Sequence, residues 1–330
     1  MKNIKHQTSN FLPACLPTGK TGRHGKIKPK SQIPTFWIWR FAIGIYFGFW
    51  ILMFACLPVG TGFCFGFAQP AVSIESQIIE GCYLGVFREG APQNIAFIKS
   101  FEKTFNKKSA MIMWYQDYSS DFPEIECRNV IKYGAVPHIV WEPWIWGDED
   151  KIKLDNIIKG EWDRYIEKWA RDAKAFGRII FLRWGHEFNI EKYPWGVGNN
   201  GKDPEKYIKA YRHVHDIFKK AGAINVKWVW CFNNYPNPNE YWNDHELAYP
   251  GDEYVDWIGI DGYNWGTTQT WSGWQSFKEM FRDQIREVSK NHPTKPVMIA
   301  EFGSAEEGGD KAAWVKEIPG ALKISMKQVK

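Results

Sequence analysis

Short apolar runs alternate with amphipathic stretches along the chain from residue 80 onward. Seven runs have the length and composition of buried β-strands, at residues 81–87, 110–115, 135–141, 179–184, 226–231, 257–261 and 297–300. Segments with helical periodicity lie between several of them, at 161–176, 204–221 and 277–289. Regular alternation of strand and helix predicts an α/β fold in which crossover helices connect the strands of a parallel sheet.

Two of the helical segments carry more detailed signals. In residues 161–176, one face collects the apolar side chains, namely Trp162, Ile166, Trp169, Ala170 and Ala173, and we expect this face to be buried. In residues 204–221, Asp203 is placed to cap the helix and Pro204 occupies its first position, where a missing N–H does no harm.

The strand count bears on the type of barrel. A TIM (β/α)₈ barrel needs eight strands and typically ~250 residues. Only seven candidate strands are found, and an eighth unit would have to follow Val329, next to the last residue of the sequence. We therefore expect a TIM barrel that is incomplete at its eighth strand, unless one strand is assigned wrongly.

The first 80 residues differ from the rest. Residues 1–40 contain eight Lys or Arg and no Asp or Glu, and residues 41–74 contain no charge. The most apolar part, 41–67, exceeds the ~20 residues that span a bilayer, so it predicts a signal peptide, cleaved after Ala68, or a membrane anchor. We expect a disordered leader at 1–40, the hydrophobic segment at 41–68, a linker at 69–79 and a catalytic barrel at 80–330, secreted, periplasmic or membrane-anchored.

Composition narrows the function. Outside the leader, 34 basic residues face 37 acidic ones, so the basic pI does not indicate nucleic-acid binding. Aromatic residues make up 17% of the chain, including 19 Trp. Their flat apolar faces suit sugar rings, although some must simply fill the core. Cys82, Cys127 and Cys231 are too few and too far apart to predict a disulfide framework or a zinc site, and we expect small buried residues.

Polar and aromatic residues follow several predicted strands. Glu187 comes shortly after the fourth strand, and Glu301 directly after the seventh. Because the carboxyl ends of barrel strands meet at one cavity, we expect both carboxyl groups in one cleft. Such a pair suits glycoside hydrolysis, in which one carboxylic acid protonates the leaving oxygen while the other, ionised, attacks the sugar. A single strand-end Glu is weak evidence, since it is commonly a salt-bridged rim residue.

Two motifs make the prediction more specific. The segments Trp184-Gly185-His186-Glu187-Phe188-Asn189 and Ile299-Ala300-Glu301-Phe302-Gly303 resemble the catalytic motifs of glycoside hydrolase family 26. The best-known members are endo-β-1,4-mannanases, and others hydrolyse mixed-linkage β-glucan or β-1,3-xylan. His186 before the acid is typical of this family, whereas most related retaining barrels have Asn there. The resemblance covers residues 80–325 and implies a retaining endo-β-glycanase without a cofactor or metal, with β-1,4-mannan the default substrate.

The resemblance also implies roles for individual residues. Glu187 would be the acid/base and Glu301 the nucleophile, with Tyr263 hydrogen-bonded to the nucleophile. His186, Trp195 and Trp265 would contact the sugar, and Arg183 would hold a nearby carboxylate or form a structural ion pair. Glu142 would bind sugar or be structural, and the neighbouring Trp141 and Trp144 match family positions too. Family members also supply an aromatic residue from the eighth strand, which this chain lacks.

Other functions have less support. The sequence contains no HExxH, no paired CxxC, no GxSxG and no GxGxxG after a strand, which disfavours metal, serine-hydrolase and nucleotide chemistry. A non-catalytic polysaccharide-binding barrel is the alternative of a different class, and the missing strand favours it. Against it, a binding module needs no pair of carboxyl groups. We expect a monomer whose partner is a polysaccharide, with membrane contact only through residues 41–67 if these are retained.

Overall fold

The computed structural model describes residues 83–330. The predicted leader, hydrophobic segment and linker, together with Cys82, lie outside the described residues. Within 83–330, no helix is long and apolar enough to cross a membrane. Cys127 and Cys231 are both buried and free, as expected for small core residues.

Seven parallel strands form one curled sheet, in the order in which they occur along the chain. They are β1 Leu84–Phe87, β2 Ser109–Asp117, β3 Val136–Glu142, β4 Ile180–Trp184, β5 Val226–Asn233, β6 Trp257–Asn264 and β7 Val297–Ser304. The predicted TIM-barrel architecture with seven strands is confirmed. Several strands extend further than their apolar runs, because polar residues such as Glu142, Asn233 and Glu301 continue the ladder.

Seven α-helices accompany the sheet in the described part of the chain. They are α1 Ala96–Phe105, α2 Glu124–Tyr133, α3 Leu154–Ile158, α4 Asp163–Phe176, α5 Pro204–Ala221, α6 Phe277–Asn291 and α7 Lys311–Ser325. Asp203 caps α5 by accepting a hydrogen bond from the backbone N–H of Glu205, as predicted. In α4 the buried face is Ile166, Trp169, Ala170, Ala173 and Phe176. Trp162 precedes that helix and is only partly buried.

The two faces of the sheet have different surroundings. The face toward the helices belongs to a large apolar core that includes Trp141, Trp169, Leu182 and Trp184. The inner face encloses a smaller apolar cluster, made of Met111, Met113, Val140, Phe181, Val229, Cys231, Met298 and Ala300. Since side chains alternate along a strand, Phe181 and Arg183 of β4 face inward while Leu182 and Trp184 face the helices.

A bulge in β7 interrupts this alternation next to the site. The ladder to β6 pairs Ile260 with Ile299 and then Asp261 with Glu301, so Ala300 is the extra residue. Ala300 belongs to the inner cluster, and without the bulge the next side chain would face the helices. Bulges commonly re-aim a side chain beside an active site, and this one keeps Glu301 on the inner face.

The sheet has β1 and β7 at its two edges. Beside β7, Val329 forms a parallel bridge with Val297, and the N–H of Lys330 donates to the carbonyl of Val297 over 3.0 Å. The position expected for an eighth strand is therefore occupied at its start by the last residues of this sequence.

Candidate active site

One wall of the cleft is the turn that follows β4. Gly185 and Glu187 both have left-handed backbone conformations, with φ of +54° and +50°. For Glu187 this conformation costs roughly 1–2 kcal/mol, and such strain is typical of functional sites. Backbone hydrogen bonds hold the turn, since the N–H of Glu187 donates to the carbonyl of Cys231 over 3.0 Å and its own carbonyl accepts from Ile190 over 2.9 Å.

The side chain of Glu187 is buried, with 7% of its surface exposed. Its Oε1 accepts a hydrogen bond from the amide of Asn233 over 2.7 Å, and the Tyr193 hydroxyl is a second partner. Burial, and next the negative charge of Glu301, raises the pKa of Glu187 to about 7 despite these two hydrogen bonds. The carboxyl group is therefore substantially protonated near neutral pH.

The opposite wall is the bulged segment of β7, which presents Glu301. Its Oε2 accepts from the Tyr263 hydroxyl over 2.7 Å, and its Oε1 accepts from the Tyr115 hydroxyl over 2.8 Å and from Arg183. Burial, and next the charge of Glu301, raises the pKa values of Tyr115 and Tyr263 well above the ordinary value, so both hydroxyls stay protonated donors. Three donors, one of them a cation, stabilise an ionised carboxylate.

Arg183 lies fully buried on the inner face of β4 and contacts one carboxylate on β6 and one on β7. Besides Glu301, it contacts both carboxylate oxygens of Asp261 over 2.8 Å. Burial opposes the positive charge, but the two carboxylates outweigh it and raise the pKa of Arg183 further. The guanidinium therefore remains charged and compensates the acidic residues around it.

The acidic groups lie close together. One oxygen from each of Glu187, Asp261 and Glu301 lies within 4.8 Å of the others. Three carboxyl groups at this distance are a geometric candidate for a cation site, but the charged Arg183 already contacts two of them. For glycoside hydrolysis, a carboxyl separation of ~5–5.5 Å corresponds to the retaining mechanism and ~6.5–9.5 Å to inversion. With one oxygen of each within 4.8 Å, the Glu187–Glu301 pair is compatible with the shorter of these separations.

Glu142, at the end of β3, is a fourth buried carboxyl group in this region. Its Oε2 accepts hydrogen bonds from the indole N–H groups of Trp144 over 3.0 Å and Trp146 over 2.8 Å. Burial, opposed by these two bonds and reinforced by the charge of Glu301, raises the pKa of Glu142 to about 7. The two indoles fix the carboxyl group, and Trp146 leaves 42% of its own surface exposed.

His186, immediately before Glu187, is enclosed by aromatic rings. Its ring lies 5.0 Å from Tyr193, 5.8 Å from Trp195 and 6.0 Å from Tyr115, measured between centroids. Burial, and next the charge of Arg183, lowers the pKa of His186 well below its ordinary value, so the imidazole is neutral. Its Nδ1 has no hydrogen-bond partner among residues 83–330.

The structure brings together most of the residues predicted from sequence, but one has different surroundings from those expected. Trp141 is fully buried on the helix side of the sheet, stacked on Trp169 at 4.2 Å, so its assignment as a substrate-binding residue is wrong. The cause is strand alternation, which points Glu142 inward and Trp141 outward. Arg183 contacts the carboxylates of Asp261 and Glu301, as the resemblance implied, and has no exposed surface for a sugar.

The remaining predicted residues differ in exposure. Trp195 is buried, stacks on Tyr193 at 4.6 Å and donates its indole N–H to the carbonyl of His186 over 2.7 Å. Trp144 is 7% exposed, whereas Trp265 is 37% exposed. Trp195 and Trp144 thus have little exposed surface for a ligand, whereas Trp265 exposes more than a third of its surface.

Sequence inspection missed three residues that contact the two key carboxyl groups. Tyr115 ends the apolar run of β2, Asn233 follows that of β5, and Tyr193 lies in the loop after β4. Their positions, at strand ends or in a loop, were the only feature of the sequence that could have indicated them. Tyr and Asn are common at such positions, so this feature alone does not predict a site.

Comparison with known proteins gives a consistent assignment. Residues 150–308 match the family model described as glycosyl hydrolase family 26. Endoglucanase H of Acetivibrio thermocellus is 40% identical over 256 residues, which cover 76% of this chain and 27% of that protein. A β-1,3-xylanase of Vibrio sp., TXYA, is 27% identical over 132 residues, covering 37% of this chain and 26% of the relative. This chain thus matches about a quarter of the length of each.

A solved structure extends the comparison to the fold. The catalytic domain of the endo-β-1,4-mannanase of Bacillus sp. JAMB-750 superposes with a TM-score of 0.54 at 18% identity, covering 67% of this chain and 66% of that one. The family model spans both the β4 wall and the β7 wall of the cleft. The chain therefore belongs to glycoside hydrolase family 26.

Proposed function

We propose that this domain is a retaining endo-β-glycanase in which Glu187 is the acid/base and Glu301 the nucleophile. The observation that carries the proposal is the pair of buried carboxyl groups within 4.8 Å of each other, each with partners that favour a different protonation state. A proton on Glu187 can assist departure of the glycosidic oxygen. The ionised Glu301 can attack the anomeric carbon and form a covalent glycosyl-enzyme.

The surrounding residues support this division of work. Arg183, Tyr115 and Tyr263 orient Glu301 and stabilise its charge before attack. When the covalent bond forms, the negative charge on Glu301 disappears and the pKa of Glu187 falls, so that Glu187 can then take a proton from water. The neutral His186 is buried beside Glu187 with its Nδ1 enclosed, so its contact with the sugar stays a prediction.

For the substrate, we propose a β-glucan as the first candidate and β-1,4-mannan as the second. The relative with 40% identity is named an endoglucanase, whereas the catalytic motifs resemble those of mannanases. The matched region is 27% of that endoglucanase, so its name alone does not decide between the two. A β-1,3-xylan completes the set to be tested, because a xylanase also matches.

The direct test is hydrolysis of β-glucan, mannan and β-1,3-xylan by purified protein. Proton NMR of the first products should show retained β configuration. Glu187→Gln is the matched control, because it preserves shape and removes the transferable proton. Inverted products would contradict the mechanism. No cleavage of any substrate would favour the non-catalytic binding barrel instead.

We also propose that the domain acts outside the cytoplasm, where polymeric β-glycans are found. The charge-free stretch at 41–74 behind a basic leader motivates this proposal. Fractionation of cells that express the full chain, with and without residues 1–68, tests it. Cytoplasmic retention of the full chain would contradict it.

A further inference from the structure

Two exposed indoles lie on the loop between β6 and α6, beside the catalytic cleft. Trp271 is 70% exposed and Trp265 is 37% exposed, and their ring centroids are 6.1 Å apart. Trp265 is also 5.8 Å from the ring of Tyr263, whose hydroxyl donates to Glu301. A continuous series of aromatic rings thus runs from the carboxylate of Glu301 to the protein surface. We call Trp265 and Trp271 the β6-loop platform.

The loop that carries the platform is held in place. The hydroxyl of Thr268 donates to the carbonyl of Trp265 over 2.6 Å, and that of Ser272 donates to the carbonyl of Gly266 over 2.8 Å. Gly266 has φ of +54°, and a Cβ there would lie 1.8 Å from the carbonyl oxygen of Glu307. Only glycine allows this contact with the loop after β7. The indoles are therefore exposed on a fixed backbone, which lowers the entropy cost of binding.

The composition of the loop indicates the kind of ligand. Residues 262–277 contain no Asp, Glu, Lys or Arg, and Thr, Ser, Gln and Asn supply the polar groups. An uncharged surface with flat apolar rings and neutral hydrogen-bonding groups suits a neutral polyhydroxylated ligand. Charged partners such as nucleic acids or acidic peptides would find no complementary charge there.

We propose that Trp271 extends the sugar contact expected at Trp265, so that the β6-loop platform binds sugar units of the same β-glycan chain beyond those at the two catalytic carboxyl groups. This inference rests on the proposed function, because a glycan that enters the cleft brings its neighbouring units along the ring series. A glycan chain is the expected occupant because the platform is continuous with the cleft: Tyr263 contacts both Glu301 and Trp265. Trp271 then contributes to binding of long chains and contributes nothing to the cleavage of short ones.

Kinetics on substrates of different length test the platform. For Trp271→Ala, kcat/KM on a soluble polysaccharide should fall about 3- to 10-fold, the range expected for loss of one aromatic stacking partner. On an aryl glycoside with one or two sugar units, kcat/KM should not change. Trp271→Phe should retain most of the polysaccharide activity. Ile224→Ala is the control, because Ile224 is 88% exposed in the turn between α5 and β5.

A binding measurement separates this inference from the proposed function. Retardation of wild-type protein and Trp271→Ala in gels that contain β-glucan or mannan needs no hydrolysis. Weaker retardation of the variant supports the platform, even if the wild type cleaves nothing and the proposed function fails. Equal retardation of the two proteins, absence of retardation in both, or an equal loss of kcat/KM on short and long substrates would overturn the platform. Equal far-ultraviolet circular dichroism confirms that the variant is folded.

Discussion

The β4 wall and the β7 wall of the cleft present the same type of side chain in different surroundings. On the β4 wall, Glu187 sits in a strained turn, and its side-chain hydrogen-bond partners within residues 83–330 are the neutral Asn233 and Tyr193. On the β7 wall, Glu301 sits in a bulged strand with two hydroxyl donors and Arg183. Burial among neutral partners favours a protonated carboxyl group, whereas a hydrogen-bonded cation favours an ionised one. The contacts of the two glutamates thus differ in the way that the proposed reaction requires.

The largest expected effect comes from replacing the glutamate of either wall by glutamine. Glu301→Gln and Glu187→Gln should each lower polysaccharide hydrolysis by at least about 10⁴-fold, as for other catalytic residues. They should differ on an aryl glycoside with a good leaving group. Such a substrate needs little proton assistance, so Glu187→Gln should still give a burst of released phenol while Glu301→Gln gives none. A burst from Glu301→Gln and none from Glu187→Gln would reverse the assignment.

The ion pair between the walls should matter next, through stability. Arg183→Met leaves Asp261 and Glu301 buried without their cation, and breaking a buried pair in this way costs about 3–5 kcal/mol. Urea unfolding followed by circular dichroism measures the loss. Arg178→Met is the matched control, because Arg178 is exposed just before the same strand. A loss below about 1 kcal/mol would show that Arg183 does not support the β7 wall.

The two hydroxyl donors of the β7 wall should have smaller effects. Tyr115→Phe and Tyr263→Phe each remove one hydrogen bond to Glu301, and bonds to charged groups contribute about 1.5–3 kcal/mol. We expect kcat/KM to fall about 10- to 10²-fold for each. Tyr118→Phe is the control, since the Tyr118 hydroxyl is also buried but accepts from Trp184 on the helix side. Equal effects for all three variants would mean that only folding is affected.

The smallest expected effect concerns the pH profile of the β4 wall. Because Glu187 must be protonated and its pKa is raised to about 7, kcat/KM should fall as pH rises through that value. The bond from Asn233 lowers this pKa, so Asn233→Ala should move the falling limb to higher pH. Asn239→Ala, at an exposed position of the loop after β5, should leave it unchanged. A shift to lower pH would contradict the role of Asn233.

Sequence pattern predicted the sheet better than the helices. All seven strands lie within a few residues of their apolar runs, because buried parallel strands need continuous apolar sequence. Helices α1, α2, α3 and α7 were missed. Helix α7 contains an internal Pro319 and Gly320, which argue against a helix on propensity alone. Tertiary packing of Trp314, Ile318 and Leu322 overrides that preference.

Only those residues of the candidate site that lie in a recognised motif could be predicted from the sequence. Glu187, Glu301 and Tyr263 follow from the motifs, and Arg183 follows partly. The bulge that turns Glu301 inward has no signature in the sequence, since it depends on the register between β6 and β7. Trp141 was misassigned because it lies in the same motif as Glu142. Its side chain points to the helix side of the sheet, whereas that of Glu142 points to the inner face. The donors Tyr115 and Asn233 lie on strands that are distant in sequence from the carboxyl groups they contact. Only the curling of the sheet brings them close.

The most direct test of the two-wall account is the product formed with azide. In Glu187→Ala with an activated aryl β-glycoside, Glu301 still forms the covalent intermediate, and azide can replace the base-activated water to give the β-glycosyl azide. In Glu301→Ala, azide enters the vacated side and gives the α-glycosyl azide. Proton NMR of the isolated azides distinguishes the anomers. A β-azide from the first variant and an α-azide from the second is the predicted result. The opposite pair would show that the roles of the walls are exchanged, and absence of azide products from both would contradict the double-displacement mechanism.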